Sequence, residues 1–307
     1  KRLKRMKESN SKMKFVTFRS WRNLMIEFRA DLHCHTNCSD GSSSPQEVVK
    51  LALEVELQGL SITDHDTIEA YEVLARENTK IDLKLLSGIE FSTIHKGSSV
   101  HVLAYAFDLN NVEINSLCKK LKTNRTIRME EMLHLLKKKG ITIDQKELFN
   151  NKNTIGRPHL AEALVKQKYA KNIQDAFNQF LGDGKCCFVA SKTMSTEETI
   201  EIIKRAKGFA IIAHPHIVKN QNILNDVLSM DFDGIETYYA KFSSQHEQAW
   251  IEIAKKKNWI MTGGSDYHGN IKPNNILGCS WVGTETFHHL YARYEENTKA
   301  SKVENEQ

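Results

Sequence analysis

The stretch DLHCHTNCSD, residues 31–40, decides how this chain is read. It closes a short apolar run, FRADLHC (28–34), and sets His33 and His35 two residues apart where a strand would end. Successive side chains of a strand point to opposite faces, so both imidazoles fall on one face and Cys34 on the other. Paired imidazoles at a strand end are metal-ligand chemistry, and Cys34 is expected to pack rather than ligate.

Working outward, six further apolar or alternating runs read as strands: LSITD (60–64), LLSGIEFST (85–93), VHVLAYAF (100–107), GFAIIAHP (208–215), DGIETYY (233–239) and WIMTGGSD (259–266). All but one carry a ligand-type residue at or near an end: Asp64 and His65, Glu90, His101, His214, and Asp266 with His268. The exception is DGIETYY, where Glu236 is a weaker candidate. In a barrel of parallel strands the C-terminal ends open on one mouth, so ligands far apart in sequence can meet there. Histidine mixed with carboxylate suits Mn²⁺, Fe²⁺ or Zn²⁺ better than Ca²⁺, which takes oxygen alone.

Helical patterns at Pro45 to Gln58, Thr196 to Ala206 and Gln245 to Lys257 separate the strands, and this alternation predicts a parallel sheet, closed or wound, with helices outside. The fourth and fifth strands are separated by long helical patterns, Val112 to Lys139 and Arg157 to Phe180, leaving through a Gly182-Asp183-Gly184 turn. A connection of that length is best read as a small helical subdomain laid over one end of the main domain. The division expected is a basic N-terminal tail (1–27), a main domain (28–107 and 190–292), a helical insertion (108–189) and a polar C-terminal tail (293–307).

At 307 residues and 40% hydrophobic side chains the chain can bury a sizeable core. Its six cysteines have no paired CxxC spacing, which predicts reduced thiols and a cytoplasmic setting. There is no run of 18 apolar residues, so no membrane partner is expected. Between Lys1 and Arg22 nine Lys or Arg residues face the single acid Glu8, which reads as a disordered basic leader, with a transit peptide as the alternative. No obligate protein partner is evident.

HisCysHis with Asp40, ThrAspHisAsp, GlyIleGlu, His101, AlaHisPro and SerAspTyrHis stand in the order of the motifs of the polymerase and histidinol phosphatase (PHP) family, which this sequence resembles from about Asp31 to Asn270. NRTIR (124–128) and GRPHLA (156–161) are similar to the branch containing the 3',5'-nucleoside bisphosphate phosphatase and RNase AM. The resemblance implies an α/β fold, a distorted seven-stranded (β/α) barrel with the inserted helical subdomain, and three divalent metal ions at its mouth, Mn²⁺ foremost and Fe²⁺ or Zn²⁺ as alternatives. Carried over motif by motif, His33, His35, Glu90 and Asp266 would hold one ion. Glu90 as a bridge, with His101 and His214, would hold a second, and Asp40, His65 and His268 the third. Asp64 then reads as orienting a ligand imidazole. Glu90, Asp266 and His214 are the residues expected to matter most to turnover.

A water held between two such cations is the expected nucleophile, with the same ions offsetting charge in an in-line displacement at phosphorus. Imidazoles that coordinate metal are not free nucleophiles, so a phosphohistidine route is not expected. Arg125, Arg128 and Arg157, with His159, are the candidates for gripping a second phosphate, because a guanidinium fork matches phosphate oxygens. For Arg128 a solvated basic helix face explains the residue as well as function does. Arg157 stands before Pro158 at a helix start, where backbone N–H groups also favour anions. His95, His134, His216, His246, His288 and His289 match no motif and read as ordinary packing or surface residues. The activities implied are release of the 3'-phosphate from a nucleoside 3',5'-bisphosphate, 5' to 3' exoribonuclease action on short RNA at the same site, or a metal-binding regulatory domain without turnover. The complete ligand set speaks against the third.

Overall fold

A computed structural model describes residues 28–77, 82–144, 148, 155–240 and 242–305. The expected basic tail, 1–27, lies outside the described residues. The strands are β1 (Ala30–Cys34), β2 (Gly59–Ile62), β3 (Lys84–Leu85), β4 (Gly88–His95), β5 (Ser98–Tyr105), β6 (Phe209–Ile212), β7 (Gly234–Tyr239) and β8 (Ile260–Gly264). β1, β2 and β3 form one parallel sheet and β4 to β8 a second. Single bridges tie the two sheets, Cys34 of β1 to Tyr267 after β8 and His65 after β2 to Glu90 of β4.

The seven runs read as strands all fall on strands, but the sheet is not wholly parallel. β4 and β5 are antiparallel, as are β5 and β6; only β6, β7 and β8 continue in parallel. The cause is local. Only Lys96 and Gly97 separate β4 from β5, both with positive φ (46° and 80°), and so short a turn can join only antiparallel neighbours.

The helices are α1 (Pro45–Glu54), α2 (Glu69–Arg76), α3 (Val112–Lys138), α4 (Arg157–Lys166), α5 (Ile173–Ala176), which runs into a π-helical turn Phe177–Leu181, α6 (Thr196–Arg205), α7 (Gln221–Ser229), α8 (Ser244–Lys257) and α9 (Thr284–Asn305). Ser44 with Glu47 and Ser195 with Glu198 form reciprocal caps at the starts of α1 and α6, which satisfies N–H groups that a helix end leaves bare. α3 belongs to two cores. Its first half packs Ile114, Leu117 and Leu121 into the main core, while its second half gives Met129, Met132 and Leu136 to a separate cluster with Leu160, Leu164 and Leu181. A third cluster, including Leu32, Leu103, Tyr105 and Ile211, is closed by Phe287 and Leu290 of α9.

Residues 293–305, read from their polarity as a tail, continue α9. Asn297 is buried there and donates to the carbonyl oxygens of Ala106 (2.7 Å) and Lys207 (3.0 Å), so one polar side chain anchors the helix through strand-end backbone. Among the described residues no helix is long and apolar enough to cross a membrane.

Candidate metal centre

The strands and the turns after them deliver nine donor side chains to one largely buried cluster, Glu90 and His101 from inside β4 and β5. Glu90, on β4, is its centre: Oε1 lies 2.8 Å from His101 Nδ1 and 2.7 Å from His214 Nε2, and Oε2 lies 3.1 Å from His35 Nε2, 3.3 Å from His33 Nε2 and 3.4 Å from His65 Nδ1. Asp266 Oδ1 stands 3.6 Å from His33 and 3.5 Å from His35. Asp40 faces His268 at 3.3 Å, His35 at 3.6 Å and His65 at 3.8 Å. Burial alone would raise the Glu90 carboxyl, but the imidazoles of His65, His101, His33 and His214 hold it well below the usual carboxylate range. Burial and then the neighbouring His268 push His35 down to about 4, so its imidazole is neutral and able to ligate at physiological pH.

Backbone geometry serves this convergence. His214 and Asp266 both have positive φ, 25° and 50°, which non-glycine residues adopt rarely and at a cost. β8 also crosses close to β1. A Cβ on Gly264 would collide with His33 N and come within 2.7 Å of Asp31 Oδ1, so only glycine lets the two ligand-bearing strands approach.

Four groups of these residues present one donor atom each, all within 4.8 Å of one another: His35, Asp40, His65 and His268; His33, Glu90 and His214; His33, His35 and Asp266; His65, Glu90 and His101. The partition differs from the expected one: His35 also faces the Asp40 group, His65 rather than His214 joins Glu90 and His101, and His214 groups with His33 and Glu90. The fit to cations rests on satisfaction of polar atoms. His35 Nδ1 and Nε2, Asp40 Oδ1, His65 Nδ1 and His268 Nε2 are buried without a hydrogen-bond partner, although buried polar atoms are nearly always paired. A cation is the partner such a nitrogen and oxygen set accepts.

Among the described residues Asp64 makes no hydrogen bond to an imidazole. Its Oδ1 accepts from Thr36 N (2.7 Å) and Ser39 Oγ (2.5 Å) and its Oδ2 from Thr36 Oγ1 (2.6 Å), so it ties down the turn between His35 and Asp40. The imidazole partner is Glu236. Its Oε1 lies 2.8 Å from His33 Nδ1 and its Oε2 accepts the His214 N–H at 2.7 Å, both fully buried. Two further residues escaped the sequence reading. Tyr239 donates its hydroxyl to Asp266 Oδ2 at 2.6 Å, and Lys272 Nζ reaches the same oxygen at 2.8 Å. The ligand motifs carry no signal for either; the TyrTyr ending of β7 was the one available hint.

The arginines sit in and beside the insertion. Arg125 Nε donates to Asp66 Oδ2 (2.7 Å) and its NH2 to Ser92 Oγ (2.8 Å), which binds α3 to the β2 and β4 ends of the cluster. Arg128 Nε donates to Val189 O (2.8 Å), and burial followed by the nearby Arg157 and Arg125 lowers its pKa to about 10. Arg157 reaches Asp183 Oδ1 at 2.7 Å and lies over the rings of Phe177 and Phe188. His159 is buried at the start of α4, where its Nδ1 accepts the Gly156 N–H at 3.0 Å.

The chain belongs to the PHP domain family, whose model matches residues 31–211. It is a metal-dependent phosphoesterase of that family. A 5'-3' exoribonuclease of Haemophilus influenzae is 31% identical over 82% of this chain and 91% of its own length. A 3',5'-nucleoside bisphosphate phosphatase of Chromobacterium violaceum is 27% identical over 78% of this chain and 86% of its own. A crystal structure described as a metal-dependent phosphoesterase of Bifidobacterium adolescentis superposes with a TM-score of 0.77 at 29% identity, covering 86% of this chain and 96% of that one.

Proposed function

We propose that the protein hydrolyses the 3'-phosphate of nucleoside 3',5'-bisphosphates, with three divalent ions, Mn²⁺ foremost, held by His33, His35, Asp40, His65, Glu90, His101, His214, Asp266 and His268. The observation that carries this reading is Glu90, a single buried carboxylate within 3.4 Å of five imidazoles, with Arg125 of the insertion bound to Ser92, two residues further along β4. Divalent cations, when bound, offset the charge of phosphoryl oxygens and acidify water. The chain's own residues do the rest. Glu236 accepts from His33 Nδ1 and so leaves Nε2 its lone pair, Asp64 fixes the turn that carries Asp40, and burial of the cluster limits bulk water. Arg125, Arg128 and Arg157 offer planar forks to the remote phosphate, with His159 at the same helix start. In this reading the strands act as a distorted seven-stranded barrel, β3 being accessory, and residues 108–189 as the lid over its mouth.

The named activity of the Chromobacterium relative supports this substrate, and that of the Haemophilus relative supports 5' to 3' trimming of short RNA at the same site. Phosphate release from adenosine 3',5'-bisphosphate, with and without Mn²⁺, is the test. Trimming of 5'-phosphorylated RNA without release from the bisphosphate would replace the first activity by the second, and neither reaction would sink both.

A further inference from the structure

Four aromatic side chains gather beside the metal cluster, against its His214 and Asp266 side. The ring centroid of Phe242 lies 4.7 Å from His216, 5.3 Å from Tyr239 and 6.2 Å from His246. Tyr239 is buried, with its hydroxyl on Asp266, and the His216 ring stands edge-on to His214 at 6.3 Å. Phe242 and His216 are half-buried and His246 is exposed, so the group has its root in the cluster and an open outer surface. Phe242 is held by a turn in which its N–H donates to Tyr239 O at 2.8 Å, and Ser243 caps α8 directly after it. From Tyr239 and Phe242 a cleft of about 600 Å³ opens toward Trp281. Its charged lining residues are Glu247 and Glu285, which suit an uncharged ring better than phosphate.

Position decides what this surface is for. Around the cluster the strands run β1, β2, β4, β5, β6, β7, β8 and return to β1 at the Cys34 to Tyr267 bridge. Arg125 is fastened at the β2 and β4 ends; the aromatics occupy the β6, β7 and β8 side. A phosphodiester between them has two ester substituents pointing apart. With the 5'-terminal phosphate on the arginines, the first nucleoside lies on their side and the next one lies toward the aromatics. A nucleoside bisphosphate has nothing on that second side.

We propose that His216, Phe242 and His246, backed by the buried Tyr239, form the stacking site for the nucleobase immediately 3' of the scissile phosphate in a short 5'-phosphorylated RNA, an inference that rests on the phosphoesterase reading above. The same P–O3' bond breaks in both substrates. Water gives its oxygen to phosphorus and a proton to the leaving O3', releasing a nucleoside 5'-phosphate and an RNA one residue shorter. The new end again carries a 5'-phosphate, which the arginines can take in turn. Stacking on aromatic faces accepts any base, as a trimming enzyme needs.

The test compares binding of a 5'-phosphorylated dinucleotide with a non-hydrolysable phosphonate linkage, and of its analogue lacking the second base. The parent should bind the dinucleotide on the order of tenfold more tightly than the abasic analogue, Phe242→Ala should erase most of that difference, and Phe242→Trp should keep it. The ratio of kcat/KM for a cleavable 5'-phosphorylated dinucleotide to that for adenosine 3',5'-bisphosphate should fall by a similar factor in Phe242→Ala. Equal binding of the two analogues by the parent, or equal weakening of both by Phe242→Ala, would overturn the stacking site. Selective binding by a parent that hydrolyses neither cleavable substrate with Mn²⁺ would uphold the site and remove the proposed function instead.

Discussion

Glu236 Oε1 lies 2.8 Å from His33 Nδ1, and the other oxygen of the same carboxylate accepts the His214 N–H, so one buried side chain beneath the cluster sets two ligands from different sheets, His33 on β1 and His214 after β6. A carboxylate can only accept, which places the proton on His33 Nδ1 and the free lone pair on Nε2, 3.3 Å from Glu90.

Glu236→Gln should therefore weaken metal binding. An amide can still accept from one of these groups, but its NH2 must then face the other donor. Loss of such an orienting contact lowers metal affinity by about 10- to 100-fold. Titration with Mn²⁺ followed by calorimetry measures it, and an unchanged affinity would show that His33 needs no such support.

Glu90→Gln should remove nearly all turnover while the fold survives. The substitution keeps volume and replaces a carboxylate oxygen facing His33, His35 and His65, or one facing His101 and His214, by a donor. Circular dichroism and phosphate release measured on the same sample separate the two effects. Turnover within tenfold of the parent would show that the bridge is elsewhere.

Asp64→Ala should cost stability and loosen the site at Asp40 first. Three hydrogen bonds from Thr36 and Ser39 are lost, all three leaving buried donors, at about 1 to 3 kcal/mol for each buried unsatisfied group. Thermal unfolding and metal content by elemental analysis read the two consequences. Full metal content at a lowered melting temperature would mean that the turn holds the fold and not the ion.

The convergence of nine donors was legible because each sits in a short motif on a strand or in the turn after one, where alternation and topology predict its face. Glu236 was not, since a glutamate inside GIETYY looks the same whether it faces an imidazole or packs beside one. Lys272 lies in a loop and reaches Asp266 only through the turn Gly269–Ile271. The antiparallel course of β5 was signalled by Lys96-Gly97 between two apolar runs, a hairpin signature outweighed by the alternation of strand and helix elsewhere. The helical course of 293–305 was hidden because Asn297 is polar, and only the tertiary fold supplies the Ala106 and Lys207 carbonyls that bury it.

Arg157 and Arg125 should separate when each is replaced by alanine. Arg125 is paired with Asp66, whose side chain is buried, and truncation would leave that carboxylate uncompensated at a cost of about 3 to 5 kcal/mol. Arg125→Ala is thus expected to lower stability and to reduce turnover of every substrate. Arg157 pairs with Asp183, whose side chain is mostly exposed, so its guanidinium can exchange that partner for a phosphate with little penalty. A remote charge-assisted contact also positions the reacting phosphate, so Arg157→Ala should lower kcat/KM for adenosine 3',5'-bisphosphate by on the order of 10- to 100-fold, from about 1.5 to 3 kcal/mol for a hydrogen bond to a charged group. An aryl phosphate, which lacks the second phosphate, should not register the change. The comparison needs both variants on both substrates together with their melting temperatures. Equal losses for Arg157→Ala on the two substrates would assign Arg157 to the fold of the insertion, and the phosphate grip would then be withdrawn from it.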